Sequence, residues 1–154
     1  MDELFFCEQL LNKKTNGNIL FYKILRHKFG SEYVDRCVFN DFKERIRNRC
    51  WLAFKRIKEN KPYNTEKILG ADFNSIKKHI ESQFKENMCW DNMGKNGWVI
   101  DHIKPLALAK TKEELLILCN YKNLQPMWEK ENKIKSSIYN GQRVTYKHNI
   151  QWMN

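Results

Sequence analysis

Three short stretches, close together in the chain, decide the predicted fold: W-V-I-D-H-I-K-P-L at residues 98–106, N-L-Q-P-M-W at 123–128 and E-N-K-I-K at 131–135. The first begins apolar and predicts a short strand that ends at Asp101-His102, because Pro105 follows and proline has no N–H for a sheet ladder. The second predicts another short strand, interrupted by Pro126. The third is polar and predicts a helix over residues 130–136.

Between the two strands the chain carries a helix signal. Thr111 and Glu114 have the spacing of a capping box and precede an apolar run. The polar residues fall at the edges of these elements. Asp101 and His102 leave the first strand, Asn123 starts the second, and Asn132 lies in the last helix.

This order of motifs resembles the HNH nuclease family. The family's small phage- and virus-type members share the patterns W-x-I-D-H-I-x-P-L, L-C-x-Y-x-N-L-Q-P-x-W and N-x-x-K-S. The matching residues of this chain are 98–106, 118–128 and 132–136, and shorter matches extend the resemblance over residues 41–137. The resemblance implies a mostly helical α+β fold, with a ββα-metal motif embedded among amphipathic helices.

The resemblance also implies roles for four residues. His102 corresponds to the general base that activates water. Asp101 and Asn132 correspond to the metal ligands, while Asn123 braces the loop and orients the base. A single carboxylate and a single amide oxygen suit an ion that keeps several waters, so the expected cofactor is Mg²⁺ or Mn²⁺.

Each of these residues alone also fits a structural role. Asp101-His102 could be a turn, and Asn123 and Asn132 could be turn or cap residues. A non-catalytic nucleic-acid-binding module that retains the motif is therefore the alternative to an HNH endonuclease. Trp90 could stack on a base or pack in the core. The remaining histidines are expected at the surface: His27, His79 and His148.

Composition points to one domain with a polyanionic partner. The chain has 154 residues, of which 42% are hydrophobic and 13% aromatic, enough for a packed core. Its net charge of +10 favours nucleic acid, with duplex DNA as the expected substrate and RNA as the alternative. The oligomeric state is left open.

The cysteine spacing and the hydropathy of the chain indicate the cellular compartment in which the protein is expected to work. The chain has 5 cysteines with no C-x-x-C spacing, which indicates reduced thiols and no structural zinc. No apolar run is long enough to span a bilayer and the N-terminus lacks a basic leader, so no membrane partner is expected. The interpretation is an intracellular, reducing setting, such as a phage- or virus-infected cell.

The basic residues concentrate in a predicted helix over residues 41–60. Its apolar residues recur at helical spacing and form one stripe: Phe42, Ile46, Cys50, Phe54 and Ile57. Three arginines on this helix, Arg45, Arg49 and Arg56, are predicted to contact DNA phosphates, because too few acidic residues are interleaved to pair with them. A solvated basic face is the alternative. Lys133 and Lys135 complete the predicted nucleic-acid contacts.

The predicted organisation is a helical region over residues 1–60 and a nuclease region over 61–154, with the core motif at 98–136. Further helices are predicted over 1–12, over 31–37 with Ser31 as cap, and from Asn74 or Ser75 through Phe84. Residues 19–29 fit either a strand or a buried helix, and helix is favoured. Asn140-Gly141 predicts a hairpin turn.

Overall fold

The computed structural model describes residues 19–136 and 138–144. The helix predicted over 1–12 and His148 lie outside these residues. The helices are α1 (Ile19–Phe29), α2 (Ser31–Arg56), α3 (Thr65–Leu69), α4 (Phe73–Glu81), α5 (Lys112–Leu118) and α6 (Glu129–Lys135). The strands are β1 (Trp98–His102), β2 (Leu124–Trp128), β3 (Ile138–Tyr139) and β4 (Gln142–Arg143). The prediction of a mostly helical α+β fold is confirmed.

The helix α2 is longer than predicted. The two helices expected over 31–37 and 41–60 are one continuous helix of 26 residues that ends at Arg56. The predicted break is absent because Val34 and Val38 continue the buried stripe into Phe42 at four-residue spacing. Ser31 is its first residue and Gly30 precedes it, so the predicted Ser31 cap is wrong.

The chain before the strands forms two short helices with polar starts. Asn64 caps α3 through a hydrogen bond from the Lys67 N–H, and Gly70 ends it in the left-handed region at φ 76°. Asp72 caps α4 by accepting the N–H groups of Asn74 and Ser75. This helix therefore begins before the predicted Asn74 or Ser75, and it ends at Glu81, short of the predicted Phe84.

The two predicted strands pair with each other in antiparallel fashion. Trp98 lies opposite Trp128, Asp101 opposite Gln125, and His102 opposite Leu124. Among the described residues this sheet has two strands, so Pro126 lies on a strand with one paired edge, where its missing N–H is tolerated. The helix α6 follows β2 directly and completes a strand, strand, helix arrangement.

Two predicted local signals are observed near these strands. Thr111 caps α5 by accepting the Glu114 N–H, although the Glu114 carboxylate accepts the N–H of Lys110 instead of that of Thr111. Asn140 and Gly141 both have positive φ, at 50° and 76°, and connect β3 to β4. Such a pair of values matches the twist of a tight hairpin.

One main core joins the basic helix to the strands. Its buried side chains include Phe42 and Phe54 from α2, Ile76 from α4, Trp98 from β1 and Leu124 from β2. A smaller cluster joins α1 to the first half of α2. The helix α2 therefore packs against the described residues after residue 61, and α1 packs on α2.

Tryptophans hold the start of β1 in this core. Trp98 is fully buried, donates its indole N–H to the Cys89 carbonyl at 2.7 Å, and packs on Phe84 and Trp90 with ring centroids 4.9 and 5.4 Å away. Trp90 also packs edge-on against Phe42 at 5.1 Å. Trp90 is partly buried and packs against the core, which favours the core-packing alternative.

Within the described ranges, no helix combines the length and apolar character needed to cross a bilayer.

Candidate active site

The end of β1 opens into a cavity of about 390 Å³. Asp101 and His102 both line this cavity, together with Arg49 and Arg56 of α2 and Lys135 of α6. Neighbouring residues of a regular strand point to opposite faces. Both side chains reach the same cavity because β1 ends at His102.

The Asp101 carboxylate is held firmly in place. It is 9% exposed, and its Oδ2 accepts hydrogen bonds from Gln125 Nε2 at 2.8 Å and from Lys135 Nζ at 2.5 Å. The Gln125 contact follows from the strand register, which puts the two residues opposite each other. Oδ1 accepts no hydrogen bond from a described residue, so one carboxylate oxygen is open to a further partner.

The His102 imidazole lies beside this carboxylate in a cationic setting. Burial lowers the pKa of His102 to about 4, helped by the positive charges of Arg49 and Lys135 and opposed by Asp101. This value lies below the ordinary 6.5, so the imidazole is neutral at pH 7. Neither ring nitrogen has a hydrogen-bond partner in residues 19–136 or 138–144.

Asn123 does not line the cavity and fixes the loop that leaves β1. Its Oδ1 accepts the Lys104 N–H at 2.8 Å, and its Nδ2 donates to the Lys104 and Leu118 carbonyls at 3.0 and 2.8 Å. Its own carbonyl accepts the Ile103 N–H at 2.9 Å. Asn123 thus ties the residues after His102 to the end of α5.

Asn132 lies one turn before Lys135 on α6, and the two share a helix face. Its side chain makes no hydrogen bond to the described residues and does not line the cavity wall. The described residues contain no group of three or more His, Cys, Asp or Glu side chains arranged to hold a metal. Asp101 is the one carboxylate among the described residues that line the cavity.

The predicted DNA-contacting arginines form a stripe along α2. Arg45, Arg49 and Arg56 are spaced by four and seven residues and therefore lie on one face of α2. Leu52 lies on the same face and lines the cavity together with Arg49 and Arg56. Burial lowers the pKa of Arg49, the attraction of Asp101 opposes this, and Arg45 and Arg56 lower it further. Arg49 makes no hydrogen bond or ion pair with a described residue, so its guanidinium is available to an anion.

Two of the basic side chains of α2 are paired within the helix, contrary to the expectation that acidic neighbours were too few. Arg45 binds Asp41 at 2.7 Å and Arg47 binds Glu44 at 2.5 Å. These are exposed pairs and hold their partners weakly. Lys133 likewise binds Glu129 at 3.1 Å on the exposed side of α6.

Lys135, one of the predicted nucleic-acid contacts, does not face solvent. Its side chain is 20% exposed, and its Nζ contacts Asp101 and the His102 carbonyl. His79 is also not a simple surface histidine. Its Nε2 lies 3.0 Å from the Leu124 carbonyl and its ring packs edge-on against Tyr121, so it joins α4 to β2.

Sequence reasoning did not find Gln125 as a partner of Asp101. In the observed register Trp98 lies opposite Trp128, and this places Asp101 opposite Gln125. Pairing the two tryptophans would therefore have predicted the contact from the sequence. The contact between Lys135 and Asp101 has no local signal, because it depends on how α6 packs on β1.

The chain is similar to an uncharacterized protein of Acanthamoeba polyphaga mimivirus. The two are 36% identical over 96 residues, which is 61% of this chain and 41% of the relative. The chain thus spans less than half the length of that viral protein. No protein-family model matches the chain. No solved structure matches it.

Proposed function

We propose that this chain is a metal-dependent endonuclease of HNH type that hydrolyses phosphodiester bonds of DNA. The observation that carries the proposal is the position of Asp101 and His102. Both leave the end of β1 in a strand, strand, helix arrangement and line a cavity whose other polar walls are Arg49, Arg56 and Lys135. A carboxylate and a neutral imidazole beside three cations suit the chemistry of a phosphodiester.

His102 is proposed as the general base. Hydrolysis needs a group that takes a proton from the attacking water. The imidazole of His102 is uncharged at pH 7 and neither ring nitrogen is occupied by another described side chain. Asn123 supports this role indirectly, because its side chain fixes the backbone at Lys104, two residues beyond His102.

Asp101 and Asn132 are proposed to hold Mg²⁺ or Mn²⁺. The open Oδ1 of Asp101 offers a hard oxygen ligand, and Asn132 offers an amide oxygen one turn from Lys135 on the adjacent helix. The ion would supply a Lewis acid for a phosphate oxygen and for the leaving 3′ oxygen. Gln125 keeps the Asp101 carboxylate oriented while the ion and the substrate bind.

The arginine stripe of α2 is proposed to hold the DNA backbone. Arg49 and Arg56 lie in the cavity wall and Arg45 extends the stripe by one turn, so phosphates on both sides of the reacting bond would meet guanidinium groups. The net charge of +10 draws a polyanion from a distance. Similarity to a mimivirus protein supports a virus-infected cell as the setting, with the cysteines reduced.

A plasmid assay tests the proposal. Supercoiled plasmid is incubated with the purified chain in Mg²⁺ and, in parallel, in chelator. We expect nicked or linear products with Mg²⁺ alone, and a loss on the order of 10²–10⁴-fold for His102→Ala. His27→Ala is the matched control, because His27 is exposed on α1 and lies outside the cavity.

The same assay separates the enzyme from the alternative of a non-catalytic nucleic-acid-binding module. DNA binding measured alongside should be nearly equal in wild type and His102→Ala, since a general base acts mainly on the transition state. Binding by the wild type without any cleavage in Mg²⁺ or Mn²⁺ would favour the binding module. A parallel RNA substrate decides between the two nucleic acids.

A further inference from the structure

The ammonium of Lys135 lies within a set of oxygen atoms. Its Nζ is 2.5 Å from Asp101 Oδ2, 2.6 Å from the His102 carbonyl oxygen and 3.4 Å from the Ile103 carbonyl oxygen. One carboxylate and two carbonyl oxygens form a donor set that also suits a hard metal cation. The side chain of Lys135 is mostly buried in this position, so the contact is a built feature of the site.

This ammonium is attached to the carboxylate proposed to hold the divalent ion. Gln125 and Lys135 share Oδ2, and Oδ1 is the open oxygen. A divalent ion bound at Oδ1 would lie close to a positive charge on the same carboxylate. Two cations on one carboxylate repel each other, and a mostly buried site screens this repulsion less than water does, so both cations cannot be held at full strength.

We propose that Lys135 is a resident counter-cation of Asp101, which the divalent ion must displace before the site is active. The inference rests on the proposed function and adds to it a coupling between metal binding and DNA binding. Without metal, Lys135 neutralises the charge of Asp101. With metal, the released ammonium joins Arg49 in the cavity and becomes available to the substrate phosphate.

Coupling of this kind makes metal and DNA bind cooperatively. The metal releases a cation that the phosphate needs, and the phosphate stabilises the released position of Lys135. Linkage is reciprocal, so DNA should tighten metal binding by the same factor by which metal tightens DNA binding. Neither ligand alone would assemble the complete site.

The first test measures Mn²⁺ binding to the full chain without DNA, by electron paramagnetic resonance. Lys135→Met removes the charge and keeps a flexible side chain of similar length. We expect this variant to bind Mn²⁺ about tenfold or more tightly than wild type, because the competing cation is gone. Lys130→Met, at an exposed position of the same helix with no predicted role in binding, should stay within twofold of wild type. Equal affinity in wild type and Lys135→Met would overturn the inference.

The second test uses the wild-type chain alone and holds even if the variant folds poorly. Amine-reactive labelling followed by mass spectrometry reports how accessible each lysine is. Labelling of Lys135 should rise several-fold when Mn²⁺ saturates the site, while Lys133 serves as the internal standard. Unchanged labelling of Lys135 at saturating Mn²⁺ would mean that the ammonium stays on Asp101, which contradicts displacement.

These results also separate the inference from the proposed function. Measurable Mn²⁺ binding that is equal in all three chains rejects displacement and leaves the metal-dependent nuclease standing. Absence of Mn²⁺ binding in all three, both with and without DNA, rejects the metal site itself and the inference with it.

Discussion

Asn123 and Asn132 are the same kind of side chain in the same motif, yet they have different surroundings. Asn123 makes three side-chain hydrogen bonds, to Lys104 and Leu118. Asn132 makes none with the described residues, and its amide lies on α6 near Lys135. The first is therefore expected to act through the loop it holds, and the second through a ligand it binds.

Replacing Asn123 should mainly affect stability. Asn123→Ala leaves the part-buried Leu118 carbonyl and the exposed Lys104 backbone without their partners, which costs about 1 kcal/mol. Urea unfolding measures the loss, and cleavage should fall as well because the loop after His102 loosens. Asn132→Ala is the matched control for stability, with an expected change within about 0.5 kcal/mol. Equal losses in both variants would contradict the distinction.

Replacing Asn132 should mainly affect the metal requirement. Asn132→Ala removes a proposed ligand, so the Mg²⁺ concentration for half-maximal cleavage should rise on the order of tenfold or more. Cleavage measured across a Mg²⁺ series at fixed DNA gives the shift. Asn74→Ala, at the exposed start of α4, controls for loss of an asparagine elsewhere. A Mg²⁺ curve that coincides with wild type would remove Asn132 from the site.

For single residues, the sequence predicts which side chains belong to the candidate site, because these lie in motifs that follow one another in a known order. It does not predict hydrogen bonds between side chains of different helices and strands. Asp101, His102 and Asn123 were proposed because the order of the motifs that contain them resembles that of the HNH family. Gln125 was missed although the strand register determines its contact. The Lys135 contact was beyond reach, because no spacing in the chain shows that α6 lies against the end of β1.

Among the elements, α2 contributes both to the core and to the cavity. Its apolar stripe packs on α4 and the strands, while Arg49 and Arg56 face the cavity. The sequence predicted the stripe and the basic face correctly, but placed a break before residue 41. Asn40 and Asp41 interrupt the apolar pattern at that point, whereas burial of Val34 and Val38 against α1 keeps the helix continuous.

Charge reversal on this helix gives the element-scale prediction. Arg45→Glu, Arg49→Glu and Arg56→Glu together should weaken binding to all DNA sequences alike, because phosphate contacts carry no base information. The slope of log affinity against log salt should flatten by about 0.9 for each phosphate that the variant no longer neutralises. Fluorescence anisotropy across a salt series measures this slope.

Arg47→Glu is the matched control for this prediction. Arg47 lies on the opposite side of α2 and pairs with Glu44, so the salt slope should keep its wild-type value. Circular dichroism of each variant verifies that the helix is intact. A triple variant with an unchanged slope would assign the stripe to a solvated surface, the alternative first drawn from the sequence.

For the molecule as a whole, the shared core predicts cooperative unfolding. Phe42 is fully buried on α2 and contacts Trp90, which in turn packs on Trp98 at the start of β1. The described part of the chain should therefore unfold in one transition, followed equally by helix and tryptophan signals. Two separate transitions would favour independent regions before and after residue 60.

A core substitution tests this coupling. Phe42→Ala should lower the free energy of unfolding by about 3–5 kcal/mol and shift both signals together. Trp51→Ala, on the same helix but 49% exposed, should change it by less than about 1 kcal/mol. If Phe42→Ala moved the helix signal alone, α2 would not share its stability with the strands.

The connection over residues 103–123 that separates β1 from β2 has a consequence for a newly made chain. A chain is synthesised from its N-terminus, and a domain folds as a unit once its elements have been made. Asp101 and His102 emerge before β2, and α6 with Lys135 follows later still. We expect stalled nascent chains that stop before residue 124 to lack the cavity and to leave plasmid uncut. The order of translation thus sets the moment at which the proposed chemistry begins.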